Sequence, residues 1–441
     1  MYTSYIGRKF LKLYNDRKNT TYTSEQFFEQ VFFGLFFTDE SHLMHVGNSP
    51  FFQKPKETAV QSHGSKSLAQ KAKLKSDIQN DVPNMAIYVG ASAKDIGGTT
   101  SGQVSSIAIQ VDSDEIYASW IGEALAIGIN GGFVMLIDND EILWNLYNGW
   151  EYYRKYLSQT PNIKDKQIET WNGQWLYHSF SENYDENHPE DNLNIDPENV
   201  QGKLAIPTIK WTSVILILSK RFPNSLITAY AYNLSQTNTT LGFINLYLKE
   251  IHEIYEMQNQ LILESDRTIL SDLDIGRFEP FYYFKDACSF GTIGLRALEP
   301  AKLREFMPKG SVQYAGGKEY KFKDEESYIN YKLFKTWIYA MLNKKEIIQL
   351  ADQLASVLLE HEQSNKEENR GKTGRGEDIR KVIESRYFKE FTENVKPLIN
   401  KGNSAKLEEI VQKSYLDIPS DNFPLFLTLV RFQYQIKKAN S

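Results

Sequence analysis

Six lysines near the start of the sequence are the side chains best placed by type and spacing to bind a ligand. They lie within 22 residues that contain a single acid, Glu57. They are Lys54, Lys56, Lys66, Lys71, Lys73 and Lys75. Lysine supplies charge to phosphates, and the serine and glutamine side chains between these lysines supply positioning hydrogen bonds. The stretch therefore suits contact with a nucleic-acid backbone, although a solvated disordered loop has the same composition.

A loop rich in glycine, threonine and serine, at 97–103, is a second candidate contact. It follows a strand predicted over 85–92. Small residues let a backbone approach a ligand closely, hydroxyls suit phosphates, and a glutamine amide suits a base edge. The residues that would make these contacts are Thr99, Thr100, Ser101 and Gln103. A plain turn is the alternative interpretation.

The GKTGRG segment at 371–376 has only part of a phosphate-binding loop. A Walker loop needs a glycine five positions before the glycine of GKT, and Lys366 occupies that position. The preceding residues are polar, whereas a Walker loop follows a buried strand, so the segment is predicted to be a linker. Lys372 and Arg375 could still contact a nucleic-acid backbone.

Glu319 and Lys321 form the ExK part of a metal-dependent nuclease motif. In such nucleases the dyad and an upstream aspartate hold Mg²⁺ and position a water molecule. No Pro-Asp pair precedes this dyad at a hairpin distance. Asp138 and Asp140 follow a predicted strand, where acids can bind metal, but a turn with a helix N-cap is the favoured interpretation of them.

The other reactive side chains favour structure over catalysis. His42 and His45 have a spacing found in metal sites, but no second cluster completes the ligand shell. Cys288 has no histidine nearby in the sequence to lower the pKa of its thiol. The sequence therefore predicts no catalytic residues, no metal and no cofactor, and a protein that is not an enzyme.

Charge is distributed unevenly along the 441 residues. Residues 1–75 carry 11 basic and 6 acidic groups, residues 76–202 carry 5 and 20, and residues 203–441 carry 34 and 30. The net charge of −6 therefore conceals two basic ends and an acidic middle. This asymmetry suggests a polyelectrolyte partner for the basic parts, with the acidic part facing solvent or a basic protein.

Composition excludes several protein classes. One cysteine excludes a disulfide framework, and no apolar run is long enough for a membrane helix. The first residues have no apolar stretch typical of a secretory signal. Hydrophobic residues make up 41% and charged residues 24%, a balance typical of globular proteins. A cytoplasmic globular protein is expected.

The apolar periodicity predicts an α+β fold, with a mixed N-terminal α/β body over 1–323 and an all-helical C-terminal bundle over 324–441. Strands are predicted at 85–92, 104–111, 131–138, 211–219, 225–234 and 240–248. Helices are predicted at 25–37, 114–128, 141–157, 248–264, 378–395, 405–415 and 422–437, and in the segment that follows Glu325.

Four segments and the layout of the chain resemble a known family. The segments are GGTTSGQVS, WNGQWL, AYNLSQTNTTLGFINLYL and EDIRKVIESRYFKEFTENVKPLI. In the layout, a body with a basic loop and a Gly-Thr-Ser loop precedes a helical bundle, and no intact catalytic motif is present. In these respects the chain resembles the large subunit of type I CRISPR surveillance complexes (Cascade).

The resemblance implies a role in recognition without catalysis. Such a subunit holds guide RNA, recognises the short PAM duplex of target DNA and recruits a helicase-nuclease, while base pairing reads the sequence. It implies PAM contacts from the loop at 97–103 and the stretch at 54–75. It also implies that the C-terminal helices pack against other Cascade subunits.

The sequence thus favours a non-catalytic nucleic-acid-binding large subunit of an RNA-guided antiviral (CRISPR type I) complex. Two alternatives stay open. One is a metal-dependent nuclease of a defence system, built on Glu319 and Lys321 with Asp138 or Asp140. The other is an acidic-faced protein scaffold that binds no nucleic acid.

Overall fold

The structure is a computed structural model that describes residues 1–93, 104, 111–263, 277–368 and 375–439. Within these ranges it does not describe the side chains of 236–239, 258–263, 365–368 and 375. The chain divides into two compact units. The first is Met1–Leu248 with Phe284–Ile293, and the second is Lys249–Tyr283 with Gly294–Ser441.

Helices account for most of the regular structure, and the first unit also contains a sheet. The helices are α1 (Tyr2–Lys18), α2 (Ser24–Phe27), α3 (Phe33–Phe36), α4 (Glu57–His63), α5 (Lys66–Asn80), α6 (Ser113–Glu123), α7 (Asp140–Gln159), α8 (Ile168–Ser179), α9 (Trp211–Arg221), α10 (Leu248–Leu263), α11 (Phe284–Cys288), α12 (Glu325–Leu342), α13 (Lys345–Glu368), α14 (Arg375–Ile383), α15 (Phe388–Val395), α16 (Ser404–Asp417) and α17 (Phe423–Ala439). A π-helical turn, Phe28–Phe32, joins α2 to α3.

The strands form one five-stranded sheet and one small hairpin. They are β1 (Ile127–Ile129), β2 (Phe133–Ile137), β3 (Glu198–Val200), β4 (Lys203–Ala205), β5 (Leu226–Asn233), β6 (Gln236–Tyr247) and β7 (Thr292–Ile293). The large sheet has the order β1-β2-β5-β6-β7, and only the β6–β7 pair is parallel. This mixed sheet with helices, followed by a helical C-terminal half, confirms the predicted α+β class.

Local sequence explains the elements that were predicted correctly. In β5, Ile227 and Ala229 are buried while Leu226 and Thr228 are exposed, the alternation expected of a strand with one face on a core. Helix α7 begins where the Asn139 side chain accepts a hydrogen bond from the Ile142 N–H at 3.1 Å. Apolar side chains at spacings of three and four predict one stripe on this helix. Tyr147 in this stripe is half-buried, and the other members are buried: Leu143, Leu146, Trp150, Tyr153 and Leu157.

The second unit has a helical core tied together by a buried arginine. Helices α13 and α17 pack on each other, and Arg431 of α17 is 3% exposed. Its guanidinium donates to the carbonyl oxygens of Phe306 and Lys318, both at 2.9 Å. At the start of α12, Asp324 and Ser327 form a capping box.

One predicted strand, over 211–219, is wrong because these residues belong to α9. Eight of the 11 residues of this helix are buried. A continuous apolar run that is buried on most sides has no period to separate a helix from a strand.

The predicted strand over 85–92 is also wrong, because this segment forms turns. Its backbone groups bond to side chains of α6, which replace a strand ladder. The Val89 N–H donates to the Ser119 hydroxyl at 3.0 Å, and the Trp120 indole donates to the Ile87 carbonyl at 2.7 Å. The strand predicted over 104–111 lies outside the described residues, apart from its first and last positions.

Two boundaries differ from their predicted positions. The helix predicted over 378–395 is divided into α14 and α15, with the Arg386 N–H donating to the Glu390 carboxylate at 2.8 Å between them. The domain boundary predicted between 323 and 324 falls inside the second unit.

Two carboxyl groups lie in the core of the first unit. Glu123 ends α6 and Glu169 lies in the first turn of α8, with 3% and 8% of their surfaces exposed. The Tyr232 hydroxyl donates to Glu123 Oε2 at 2.7 Å. Burial raises the pKa of Glu123 to about 7, and burial with the nearby charge of Glu123 raises the pKa of Glu169 to about 8. Folding therefore favours the protonated carboxyls.

Glu169→Gln is expected to stabilise the protein at pH 8 and to change its stability little at pH 5. A carboxyl whose pKa is raised by folding contributes stability below its unfolded pKa, and this stability is lost as pH rises through the folded pKa. The unfolding free energy of the wild type should fall by a contribution on the order of 2 kcal/mol between pH 5 and pH 8 as Glu169 ionises. Glutamine stays neutral, so the variant should not show this fall.

Urea unfolding at pH 5 and pH 8 measures the effect. Glu151→Gln is the matched control, because Glu151 is exposed on α7. If Glu169→Gln and the wild type show the same dependence of unfolding free energy on pH, the buried carboxyl does not carry the pH dependence.

Candidate nucleic-acid interface

The basic stretch at 54–75 lies largely on two ordered helices, α4 and α5. Gly64 has a φ of +83°, a left-handed conformation that ends α4. The Ser65 hydroxyl then accepts a hydrogen bond from the Leu68 N–H at 3.2 Å and begins α5. Four of the six lysines therefore lie on helices and the other two immediately precede α4, whereas the composition had also allowed a disordered loop.

Three of the six lysines are engaged within the first unit. The Lys75 ammonium lies 2.8 and 3.1 Å from two glutamates near α2. The Lys73 ammonium lies 2.9 Å from Asp77, one turn along α5. The Lys71 ammonium lies 4.6 Å from the centre of the Phe33 ring. These contacts hold the three lysine side chains against neighbouring residues of the first unit.

The other three lysines are available to a ligand. Lys54 precedes α4, Lys56 is its N-cap residue, and Lys66 is the first residue of α5. All three are exposed, and none forms an ion pair with a residue that the structure describes. The structure therefore separates the six lysines into an engaged group and a free group.

Lys54 and Lys66 line a cavity of about 500 Å³, whose third lysine is Lys166. Lys166 lies just before α8, and its N–H donates to the His42 carbonyl at 2.8 Å. Its φ of +62° is uncommon for a residue with a side chain. Its ammonium lies 3.5 Å from the Asp165 carboxylate. A lysine that is distant in the sequence thus joins two of the predicted ones.

The buried side of the cavity contains an amide oxygen without a partner. Gln70 is 2% exposed, and its Nε2 donates to the carbonyls of Gln53 at 2.8 Å and Phe51 at 3.3 Å. Two carbonyl acceptors fix the amide orientation, because only the NH₂ end can donate to them. The opposite end, Oε1, has no hydrogen-bond partner among the described residues.

His42 supplies a second buried polar atom at the same cavity. The residue is 6% exposed, and its Nδ1 has no partner within the described part of the chain. Burial and the positive charge of Lys166 lower the pKa of His42 to about 4. The imidazole is therefore neutral near pH 7, and each ring nitrogen acts as a donor or an acceptor according to the tautomer.

Two phenylalanines complete the lining. Phe51 is buried and stacks on Phe37, with ring centres 3.8 Å apart. Phe52 is 59% exposed, and its ring makes an edge-to-face contact with the His45 ring, with ring centres 5.0 Å apart. The lining of the cavity thus includes one buried aromatic ring, Phe51, and one largely exposed aromatic ring, Phe52.

Two larger cavities occur elsewhere, of about 710 and 720 Å³. Among the described side chains, their linings contain none of the buried polar atoms that lack a hydrogen-bond partner. Two of the residues that line the cavity beside α4, His42 and Gln70, carry such atoms. Because buried polar atoms without partners are uncommon in folded proteins, this cavity is the stronger candidate for a ligand.

The remaining predicted contact residues lie elsewhere or outside the described part. The loop residues Thr99, Thr100, Ser101 and Gln103 lie outside it, as does Lys372. Arg375 is the first residue of α14, and its side chain is not described. Contacts from these residues stay predictions.

The candidate catalytic acids have structural partners or lie apart. The Lys9 ammonium contacts the Asp138 carboxylate and lies 3.1 Å from Asp140, and the Tyr5 hydroxyl donates to Asp138 at 2.9 Å. Glu319 and Lys321 line the cavity of about 720 Å³ in the second unit. Over the described residues, no group of three or more histidine, cysteine or acidic side chains is placed to hold a metal ion.

The lone thiol is a buried core residue. Burial raises the pKa of Cys288 to about 12. The thiolate that nucleophilic chemistry requires is therefore disfavoured at neutral pH.

Comparisons with family models, with curated proteins and with solved structures find no match to this chain. In the part of the chain that the structure describes, no helix has the length and apolar character needed to cross a membrane.

The geometry permits specific recognition of an anion that carries a flat ring. Three lysines offer charge, two phenylalanines offer apolar surface, and His42 and Gln70 offer buried hydrogen-bonding atoms. Glu40 and Glu57 also belong to the lining and can accept hydrogen bonds. The sequence predicted contacts from Lys54 and Lys66 and indicated His42 only as half of a metal-site spacing, and it did not indicate Lys166. The FFQKPK run, where aromatic rings adjoin lysines, was the signal that could have identified Phe51 and Phe52.

Proposed function

We propose that this protein binds nucleic acid without catalysing a reaction on it, through Lys54, Lys56, Lys66 and Lys166. The observation that carries the proposal is the cavity beside α4, where Lys54 and Lys66 have no ion-pair partner among described residues. Lysines that are not neutralised by the protein can replace the counterions of a phosphate backbone. Lys166, whose ammonium lies 3.5 Å from the Asp165 carboxylate, adds a fourth charge that is partly neutralised.

The resemblance of the sequence to Cascade large subunits suggests the complex in which this nucleic-acid binding would occur. In that setting the chain is the large subunit of an RNA-guided antiviral complex of CRISPR type I. Its partners are guide RNA, target DNA, other Cascade subunits and a recruited helicase-nuclease. The engagement of Asp138 and Asp140 by Lys9 supports the non-catalytic form of the proposal over the nuclease alternative.

Salt-dependent binding of a fluorescent 20-nucleotide single strand to the purified protein tests the proposal. Four lysines on phosphates predict that the logarithm of the association constant falls with the logarithm of salt concentration with a slope of about −3. A duplex of the same sequence, measured in parallel, shows which form is preferred. Absence of binding at low salt, or binding that ignores salt, would contradict nucleic-acid contact through these lysines.

A further inference from the structure

The cavity beside α4 has features that backbone contact alone does not require. A phosphate backbone needs only charge and simple donors, which the exposed lysines supply. Gln70 and His42 both line this cavity and are buried, and each has a polar atom without a partner in the described structure. Leaving a buried polar atom unpaired is costly unless a ligand or water pairs with it.

The burial of the lining residues separates the cavity into an inner and an outer part. The inner residues are Phe51, Gln70 and His42, each at most 6% exposed. The outer residues Lys54 and Lys66 are exposed. A complementary ligand has a flat, hydrogen-bonding ring at the end that meets the inner residues and negative charge at the end that meets the outer lysines.

We propose that this cavity binds one nucleotide, with its base at Gln70 and His42 and its phosphate at the three lysines. The inference rests on the proposed function if the nucleotide is part of a bound nucleic-acid strand. A free mononucleotide has the same chemistry, so the experiment compares a strand with free nucleotides. A volume of about 500 Å³ lies within the usual range for small-ligand sites.

The hydrogen-bonding groups of the cavity also select among bases. Gln70 Oε1 is an acceptor whose orientation is fixed by the donors at the other end of the amide. The carboxylates of Glu40 and Glu57 are acceptors too. Adenine, cytosine and guanine carry an amino group whose two N–H donors can pair with more than one of these acceptors, whereas uracil and thymine have a single N3–H between two carbonyl oxygens. The cavity therefore prefers bases that carry an amino group.

The exposed ring of Phe52 provides a variant that leaves the core intact. Stacking of a base on an aromatic side chain contributes roughly 1–3 kcal/mol, which corresponds to about a 5- to 150-fold change in affinity. Phe52→Ala should therefore weaken nucleotide binding about tenfold. Phe243→Ala is the matched control, because Phe243 is similarly exposed, at 62%, on β6.

Calorimetric titration of the full chain with AMP, CMP, UMP, adenosine and inorganic phosphate provides the test. AMP and CMP should bind about tenfold more tightly than UMP, since the single N3–H of uracil can pair with fewer of the acceptors that line the cavity than an amino group can. Adenosine and phosphate should each bind more weakly than AMP. Phe52→Ala should weaken AMP binding, and Phe243→Ala should not. UMP affinity equal to that of AMP, or no effect of Phe52→Ala, would overturn the inference.

The fluorescent single strand separates this inference from the proposed function. If the strand binds but AMP does not, the lysine contact stands and the nucleotide cavity is wrong. If AMP binds but no strand does, the ligand is a free nucleotide and the proposed function is wrong.

Discussion

Replacing Lys54, Lys56 and Lys66 together with alanine is expected to lower affinity for a single strand roughly 10- to 100-fold at 0.1 M salt. Each lysine that contacts a phosphate releases counterions, and the salt slope should therefore become shallower by about 2 when three contacts are removed. The three lysines are exposed and have no ion-pair partner in the described ranges, so their removal should leave the fold intact.

A second triple variant controls for net charge. Lys73, Lys396 and Lys413 each pair with a carboxylate nearby in the sequence, at 2.9, 2.8 and 2.6 Å. Alanine at these three positions changes the net charge by the same amount but removes lysines that are already paired. It should reduce affinity much less. Equal losses in the two triple variants would mean that overall charge, and not the cavity, governs binding.

Gly7→Ala is expected to destabilise the protein by about 3 kcal/mol, a large effect for one methyl group. Helices α1 and α6 approach so closely that a Cβ atom at Gly7 would lie 1.9 Å from the Ala118 carbonyl oxygen. A Cβ atom at Gly122 would lie 1.9 Å from the Thr3 carbonyl oxygen. Both obstacles are backbone atoms, so the helices would have to move apart.

Gly34→Ala is the matched control for this prediction. Gly34 also lies in a helix, α3, but a Cβ atom there would meet nothing within 4 Å. Alanine should therefore stabilise the protein by roughly 0.5–1 kcal/mol through its higher helix propensity. Denaturant unfolding measures both variants. A Gly7→Ala variant as stable as wild type would contradict the close helix contact.

The fold was predictable where the sequence carries a period or a cap. The alternation in β5 and the stripe and N-cap of α7 gave correct elements for this reason. Helix α9 was missed because burial on most sides removes the period. The turns at 85–92 were missed because their backbone partners are side chains of α6, which local sequence does not show.

The candidate site was predictable only in part. Clustering of lysines identified Lys54 and Lys66, but it could not distinguish free lysines from Lys75, whose glutamate partners lie more than 40 residues away. Lys166 joins the cavity through contacts of the segment before α8 with His42. The spacing of His42 and His45 indicated a possible metal site, whereas the structure places His42 beside an amide and lysines. Tertiary contacts of this kind leave no local pattern.

Photocrosslinking is the most direct test of the central claim, that the cavity beside α4 contacts nucleic acid. A single strand containing 8-azidoadenine, irradiated in complex with the full chain, forms covalent links to residues near the base. Digestion and mass spectrometry then locate the linked peptides. The structure predicts links within residues 40–70, Phe52 foremost, and near Lys166. Links confined to other parts of the chain would contradict the claim.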